Sequence, residues 1–277
     1  MRAAEEHTVS SWFWWAILAT LAMAMLLPFW VMISGSLTPS EQMTHASLWP
    51  KQLDFNHYTT VFDKIPLLRY SLNSFLVAFL ASIGQVMLSS MAAFGFAKLR
   101  FAGRDKLFFL VLLTMMIPPQ VNLVPLFLVM KTLHWIDTIW ALIIPGCFGA
   151  FGIFLLRQWF LTVPNELEDA ANLDGATTWQ FFRRIALPIV LPAVITLGIY
   201  SFIVNWNSFM WPLIVVQSDT LRTLPLGIAE LKNTYRDVID WGVMMAACTI
   251  SVMPILLLYA ATQKQLTRNL VQGAVKG

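Results

Sequence analysis

The chain has 277 residues, 58% hydrophobic and 12% charged, with a mean hydropathy of +0.67. An ordinary soluble domain carries about a quarter charged residues, so the apolar excess exceeds what a core of this size holds and must face lipid. The formal net charge of +3 comes without a basic stripe, which argues against a nucleic-acid-binding surface.

Arg2 precedes a first apolar run at about 12–34. The hydrophobic part of a cleavable signal is shorter, roughly 7 to 15 residues, so this run reads as a retained first span, although Ser34-Gly35-Ser36 offers the small residues of a cleavage site. Further runs of span length follow at about 71–97, 107–130, 139–160, 189–215 and 241–262. The expectation is an all-α membrane protein of six transmembrane helices in a single transmembrane domain, 1–277. No short-period repeat or low-complexity linker divides it.

Six spans sort the connections into two sets. One set holds both termini, 98–106 and 161–188; with Arg157, just inside the fourth run, it carries 11 Lys and Arg. The other holds 35–70, 131–138 and 216–240, and carries 7. The basic loop Lys98-Leu99-Arg100-Phe101-Ala102-Gly103-Arg104-Asp105-Lys106 is the clearest element of this bias. Loops rich in Lys and Arg stay inside, which places both termini in the cytoplasm.

Inside the runs Arg157 is the sole ionisable side chain apart from thiols and phenols, and it sits near an end where it can snorkel. Proton- or ion-coupled carriers usually place charged groups at mid-membrane. The chain has no G-x-x-x-x-G-K-[ST] phosphate loop, no paired carboxylates at plausible depth and no metal-ligand spacing. His7, His45, His57 and His134 fall in expected loops or at loop ends and read as solvated side chains. Cys147 and Cys248 lie in apolar runs and read as small core hydrophobes. The pattern is a pathway without its own engine.

The largest loop of the cytoplasmic set, 163–188, reads as two short helices joined by a turn. Pro164 suits a first helical position, and Glu166, Glu168 and Asp169 oppose the helix dipole. Gly175 is placed for a left-handed terminating residue. Thr177 or Thr178 can cap the second helix, and Pro188 resists its simple continuation. Leu167, Ala170, Ala171 and Asp174 make a shallow face on the first helix. Phe181, Phe182 and Ile185 make an apolar face on the second, which must bury against the chain's own membrane domain or a partner.

The run Asp169-Ala170-Ala171-Asn172-Leu173-Asp174-Gly175, followed by Ile185-Ala186-Leu187-Pro188, resembles the EAA loop of ABC importer permeases, with Asp in place of the family's Glu and Glu168 beside it. Met116-Ile117-Pro118-Pro119-Gln120, Phe154-Leu155-Leu156-Arg157-Gln158-Trp159-Phe160, Asn205-Trp206-Asn207-Ser208-Phe209-Met210-Trp211-Pro212-Leu213 and the ending Leu270-Val271-Gln272-Gly273-Ala274-Val275-Lys276-Gly277 extend it to the smaller permease of maltose-type carbohydrate importers.

The resemblance implies a type I ABC importer permease fold in the bacterial cytoplasmic membrane. It implies a second permease subunit, two copies of an ABC ATPase and an extracytoplasmic sugar-binding protein as partners, with ATP and magnesium held by the ATPase and no cofactor or metal in this chain. Glu168, Asp169, Ala170, Ala171, Asp174, Gly175, Phe181 and Ile185 would couple to the ATPase, and Gln272, Gly273 and Lys276 of the tail would contact it.

Sugars are neutral rings with hydroxyl edges and apolar faces. Asn73, Asn122, Asn205, Trp206 and Asn207 are therefore the candidate pathway residues, each equally able to join helices to one another. Asn205 and Asn207 point about 200° apart on a helix; Asn207 is favoured for the pathway. Two other readings remain open: an ABC permease for a polyol or glycerol phosphodiester, and an ATP-independent carrier, which would not need 163–188.

Overall fold

The computed structural model describes residues 2–42, 49–232 and 240–274, with side chains described for 12–40, 42, 49–232 and 240–263. Among the described residues every regular element is helical: α1 (Arg2–Ser36), α2 (Asn56–Lys64), α3 (Leu67–Lys98), α4 (Arg104–Thr114), α5 (Leu123–Thr132), α6 (Ile139–Ile143), α7 (Ala150–Leu161), α8 (Asn165–Leu173), α9 (Thr178–Phe181), α10 (Leu187–Ile189), α11 (Leu191–Trp206), α12 (Met210–Val215), α13 (Leu224–Leu231) and α14 (Trp241–Ala274). The chain forms two compact units, Met1–Leu67 with Gly227–Pro254, and Leu68–Leu226 with Ile255–Gly277.

Among the described residues four helical stretches are long and apolar enough to cross a membrane: Trp12–Ser36, Leu67–Lys98, Ile139–Leu161 and Trp241–Gln263. Two further pairs reach that length only together: Arg104–Thr114 with Pro119–Thr132, bent by 95° inside the expected run at 107–130, and Thr178–Ile189 with Leu191–Trp206, bent by 78° at the start of the expected run at 189–215. Pro118 and Pro119 lack donors and push the residue before them out of helical geometry, which breaks the first pair. The second breaks at Val190 (φ −90°, ψ 5°), ahead of Pro192.

In the first unit, the segment after α1 folds back through α2. The Ser36 hydroxyl lies 2.8 Å from the Tyr58 hydroxyl. His57 is buried, which corrects its reading as a solvated loop residue. Its Nε2 lies 2.9 Å from the Thr38 carbonyl, which it can serve only as a donor, and its Nδ1 is 4.0 Å from Asp240. Lys64 faces the same carboxylate at 3.7 Å. Gly242 leaves no room for a Cβ beside the imidazole ring. Residues 38, 57 and 240 are far apart in sequence, so no local pattern marks this cluster.

In the second unit, α3 packs along α7 and α11. The lower core gathers Phe94, Leu156, Phe160, Ala186, Val190 and Leu197, all buried. Polar groups between these helices satisfy one another. Ser201 Oγ donates to Gln85 Oε1 at 2.5 Å, and Asn205 Nδ2 donates to the Ser201 carbonyl at 2.8 Å. α7 and the turn that leads into it reach them because their contact positions are glycine. A Cβ on Gly146, Gly149 or Gly152 would run into Asn205 Oδ1, Gln85 Nε2 or Ser89 Oγ respectively. Small residues let membrane helices approach closely enough for such contacts.

Gly149→Val tests this packing. Gly149 has an extended backbone (φ −163°, ψ 119°), so valine meets no backbone penalty and the cost is steric alone. Overpacking of this kind costs about 1–3 kcal/mol. Thermal unfolding in detergent is expected at a lower temperature than for wild type; an unchanged transition would show that α7 does not press on α3.

Candidate functional site

The 163–188 segment is fastened to the membrane helices at its entrance. Lys98, the last residue of α3, donates to the Val163 carbonyl at 2.7 Å and to Asn165 Oδ1 at 2.8 Å. Pro164 stands one residue before α8, as its N-cap rather than its first residue. Glu166 and Glu168 occupy the first turn, the favourable end of the helix dipole. The helix ends on Gly175 at φ +73°. The Ala176 amide then bonds back to the Ala171 carbonyl at 2.9 Å, and the Gly175 amide to Asn172 at 3.1 Å. This termination requires the left-handed conformation that glycine adopts without penalty.

Thr177 is the cap of the second helix. Its hydroxyl accepts from the Gln180 amide, while the Gln180 side chain accepts from the Thr177 amide at 2.8 Å. Pro188 does not end this helix. The ladder absorbs it by slipping into a π turn over Phe182–Ala186, in which the Leu187 amide reaches the Phe182 carbonyl. A proline cannot donate to the residue four earlier, and one turn of wider hydrogen bonding removes that demand.

The segment has two faces. Inward, Ala171, Phe181 and Phe182 are buried, with Ile185 packed beside them. Phe182 lies 5.0 Å from the Phe94 ring, Phe160 5.6 Å from Phe94, and Phe181 6.1 Å from Phe94. The apolar face expected to seek a core thus finds it on the chain's own helices, and Phe181 and Ala171 mount the loop rather than present it. Outward stand Leu167, Leu173 and Trp179, with Glu166, Asp169, Ala170 and Asp174 around them. Leu173 is 91% exposed and Trp179 55%. Sequence reasoning passed over both. Their signal was present: an apolar residue just before a terminating glycine, and a tryptophan at the second position of a capped helix.

The candidate pathway residues separate. Asn205 donates to Ser201 of its own helix, whose hydroxyl bonds Gln85 of α3, and its Oδ1 faces Gly146, so it is part of the packing between helices. Trp206 is 2% exposed and its ring stacks 5.9 Å from Phe202, which makes it a core residue. Asn207 is exposed at the end of α11, its amide resting on the Ile203 carbonyl at 2.9 Å. Asn122 is exposed in the short turn between α4 and α5. Asn73 donates to the carbonyls of Thr220 and Arg222 at 2.8 and 2.9 Å, anchoring a loop. Arg157 donates to the Phe96 carbonyl and lies 4.1 Å over the Phe108 ring. Gln272 and Gly273 fall in the last turn of α14 with side chains outside the described residues, and Lys276 lies outside them altogether. Among the described residues no three His, Cys, Asp or Glu side chains gather as a metal site.

That anchored loop, 216–223, lies at the opposite end of α3, about 44 Å along the helix from Lys98 at 1.5 Å per residue. Asp219 accepts from Tyr70 at 2.5 Å and pairs with Arg69 and Arg222. The Tyr70 hydroxyl, and then the two guanidinium groups, hold its carboxyl below the usual range. Asp137 accepts from the amides of Gln217 and Ser218, both at 2.9 Å, and these bonds, Ser218 first, lower its pKa as well.

The family profile described as "Binding-protein-dependent transport system inner membrane component" matches residues 68–272. The arabinooligosaccharides transport system permease protein AraQ of Bacillus subtilis (strain 168) is 32% identical over 262 residues, covering 93% of this chain and 92% of that protein. The sn-glycerol-3-phosphate transport system permease protein UgpE of Salmonella choleraesuis (strain SC-B67) is 34% identical over 209 residues, 76% of this chain and 74% of that one. A bacterial ABC transporter involved in the import of the acidic polysaccharide alginate superposes with a TM-score of 0.83 at 21% identity, over 93% of this chain and 96% of that one. The shared fold extends across nearly the whole length.

Asp137→Ala frees two amides of the anchored loop. Exchange of the Gln217 and Ser218 amides with solvent deuterium is expected to quicken about fivefold, the equivalent of about 1 kcal/mol per lost bond. Because the folded-state pKa is depressed, the wild-type bonds are intact at neutral pH and weaken as pH falls through that lowered value. Equal exchange in both proteins at pH 7 would remove Asp137 as an anchor.

Proposed function

The chain belongs to the binding-protein-dependent transport system inner membrane components, multi-pass permeases of the bacterial inner membrane, and on that basis we propose that it forms half of the translocation pathway of an ATP-driven carbohydrate importer. It is a transport subunit without an enzymatic site of its own. In this reading the whole chain is one transmembrane domain of six spans, counting each bent pair as one, with both termini in the cytoplasm. A second permease completes the pathway. Two ATPase subunits, which bind ATP and magnesium, sit beneath it, and an extracytoplasmic binding protein delivers the sugar.

The observation that carries the coupling reading is the division of the 163–188 segment into a buried aromatic mount and an exposed side that carries Leu167 and Leu173 with Glu166, Asp169 and Asp174. Solvated apolar side chains on a rigid, doubly capped helix pair favour a partner groove. Displacement of such a pair is transmitted to the spans, because the aromatic packing beneath it does not yield. Glu168 and Ile185 flank the exposed side and the mount.

A carbohydrate is supported by the AraQ relative and by spans free of mid-membrane charge. Asn207, exposed where α11 ends, is the assigned contact, followed by Phe209, Met210 and Trp211. The UgpE relative favours a second reading, a glycerol phosphate ester. That substrate wants an unengaged cation, whereas Arg69 and Arg222 are both committed to Asp219.

Two variants test the coupling. Leu173→Glu keeps helix α8 but puts a charge on the exposed side; its ATPase is expected to dissociate at least about tenfold more readily, the scale of a lost interface anchor. Gly175→Val forces a branched residue into φ +73°, costing about 1–2 kcal/mol locally; the protein still inserts in the membrane, while uptake and substrate-stimulated ATP hydrolysis fall. Unimpaired uptake in both variants would overturn the assignment. For the pathway, Asn207→Ala is expected to lower uptake in an intact complex, and Asn205→Ala to lower thermal stability by about 1 kcal/mol. Normal transport by an assembled Asn207→Ala complex would move the sugar contacts to the partner permease.

A further inference from the structure

A continuous apolar furrow runs along the outside of α3. Its upper hollow, about 400 Å³, lies between α3 and α11 with Leu258 of α14 also in its lining, beside Phe79, Ile83, Met87, Gly198 and Phe202. Its lower hollow, about 250 Å³, shares Val86, Met87 and Val194 with the upper one and opens beside Trp179 and Arg183. The furrow therefore begins at mid-helix and ends at the 163–188 segment.

The lining is apolar along its length, and the end chemistry is of a different kind. Arg183 is exposed and has no carboxylate partner among the described residues, Arg184 beside it is exposed as well, and Trp179 is an aromatic of the sort that seats at headgroup level. An apolar furrow closed at one end by a cation and an indole is complementary to a molecule with a long hydrocarbon tail and a negatively charged head. Guanidinium is the preferred planar partner for phosphate oxygens.

We infer that this furrow binds one anionic phospholipid, with an acyl chain lying between α3 and α11 and the phosphate against Arg183. Because Trp179 and Phe182 line both the lower hollow and the coupling segment, the lipid braces the second helix of that segment from the side not covered by the chain's own core. The site goes beyond the transport reading and does not depend on which solute is carried.

Gly198 supplies a specific test. A Cβ there meets only Val86 Cγ2, at 3.6 Å, so a larger side chain grows into the furrow rather than into the bundle. The purified full transporter complex is exchanged into detergent with equal amounts of phosphatidylglycerol and phosphatidylcholine and examined by native mass spectrometry. Wild type is expected to retain one phosphatidylglycerol at this permease, with at least fivefold preference over phosphatidylcholine. Arg183→Gln should retain a lipid but lose the preference, and Gly198→Leu should lose retention with its helix content and subunit composition unchanged. Should Gly198→Leu fail to assemble, Ile83→Trp fills the same furrow from α3 and is read identically. Wild type retaining no phosphatidylglycerol, or both classes of variant retaining it as wild type does, would overturn the inference. So would a photo-crosslink from position 83 that captures the partner permease and no lipid.

Discussion

The contact among Phe94, Phe160 and Phe182 is the joint on which the rest depends. Phe94 comes from the end of α3, Phe160 from the end of α7, and Phe182 from the start of the π turn that precedes α10, with ring centroids 5.0 to 6.1 Å apart. Aromatic rings at such separations gain about 0.5–1.5 kcal/mol per pair beyond the area they bury. More important here is that a close-packed cluster has no intermediate arrangement. The 163–188 segment and the ends of α3 and α7 are therefore packed as one cluster. Lys98 makes a second fastening to the Val163 carbonyl, so the segment is held at its entrance and at its exit.

Lipid imposes the other constraint. A backbone group without a hydrogen bond in hydrocarbon costs several kcal/mol, so each departure from regular helix needs a local remedy. The abrupt bends at 115–118 and at Val190 are placed where prolines have already removed donors. Between helices, Gln85, Ser201 and Asn205 satisfy each other, and the glycines at 146, 149 and 152 bring α7 and the turn that leads into it against them. The bundle is thus joined by side-chain polarity at mid-height and by aromatic packing near the 163–188 segment.

Local signals in the sequence were read well and long-range ones were not. Gly175 as a left-handed terminator and Thr177 as a cap follow from chemistry within four residues. The composition revealed the apolar runs, and the prolines that bend two of them were visible, but a run of apolar residues looks the same whether it is straight or broken. The faces of the 163–188 segment were recognised, yet their destinations were not. That Phe181 would be buried against Phe94 rather than offered to a partner depends on a contact 87 positions away. The same distance problem hid His57 against residues 38 and 240, and Asn73 against residues 220 and 222. The helical spacing used to separate Asn205 from Asn207 does not reach Asn207, which lies just past the end of α11.

The joint itself is most directly tested by Phe182→Leu in the assembled transporter. The substitution keeps an apolar side chain and costs less than about 1.5 kcal/mol of packing when volume is nearly conserved, so the protein folds, but the ring that meets Phe94 and Phe160 is gone. Sugar uptake and ATP hydrolysis are measured on the same reconstituted sample. A rigid joint predicts that hydrolysis persists while uptake per ATP falls at least severalfold. Uptake per ATP equal to wild type in the folded, assembled variant would contradict it, and would place force transmission elsewhere in the 163–188 segment.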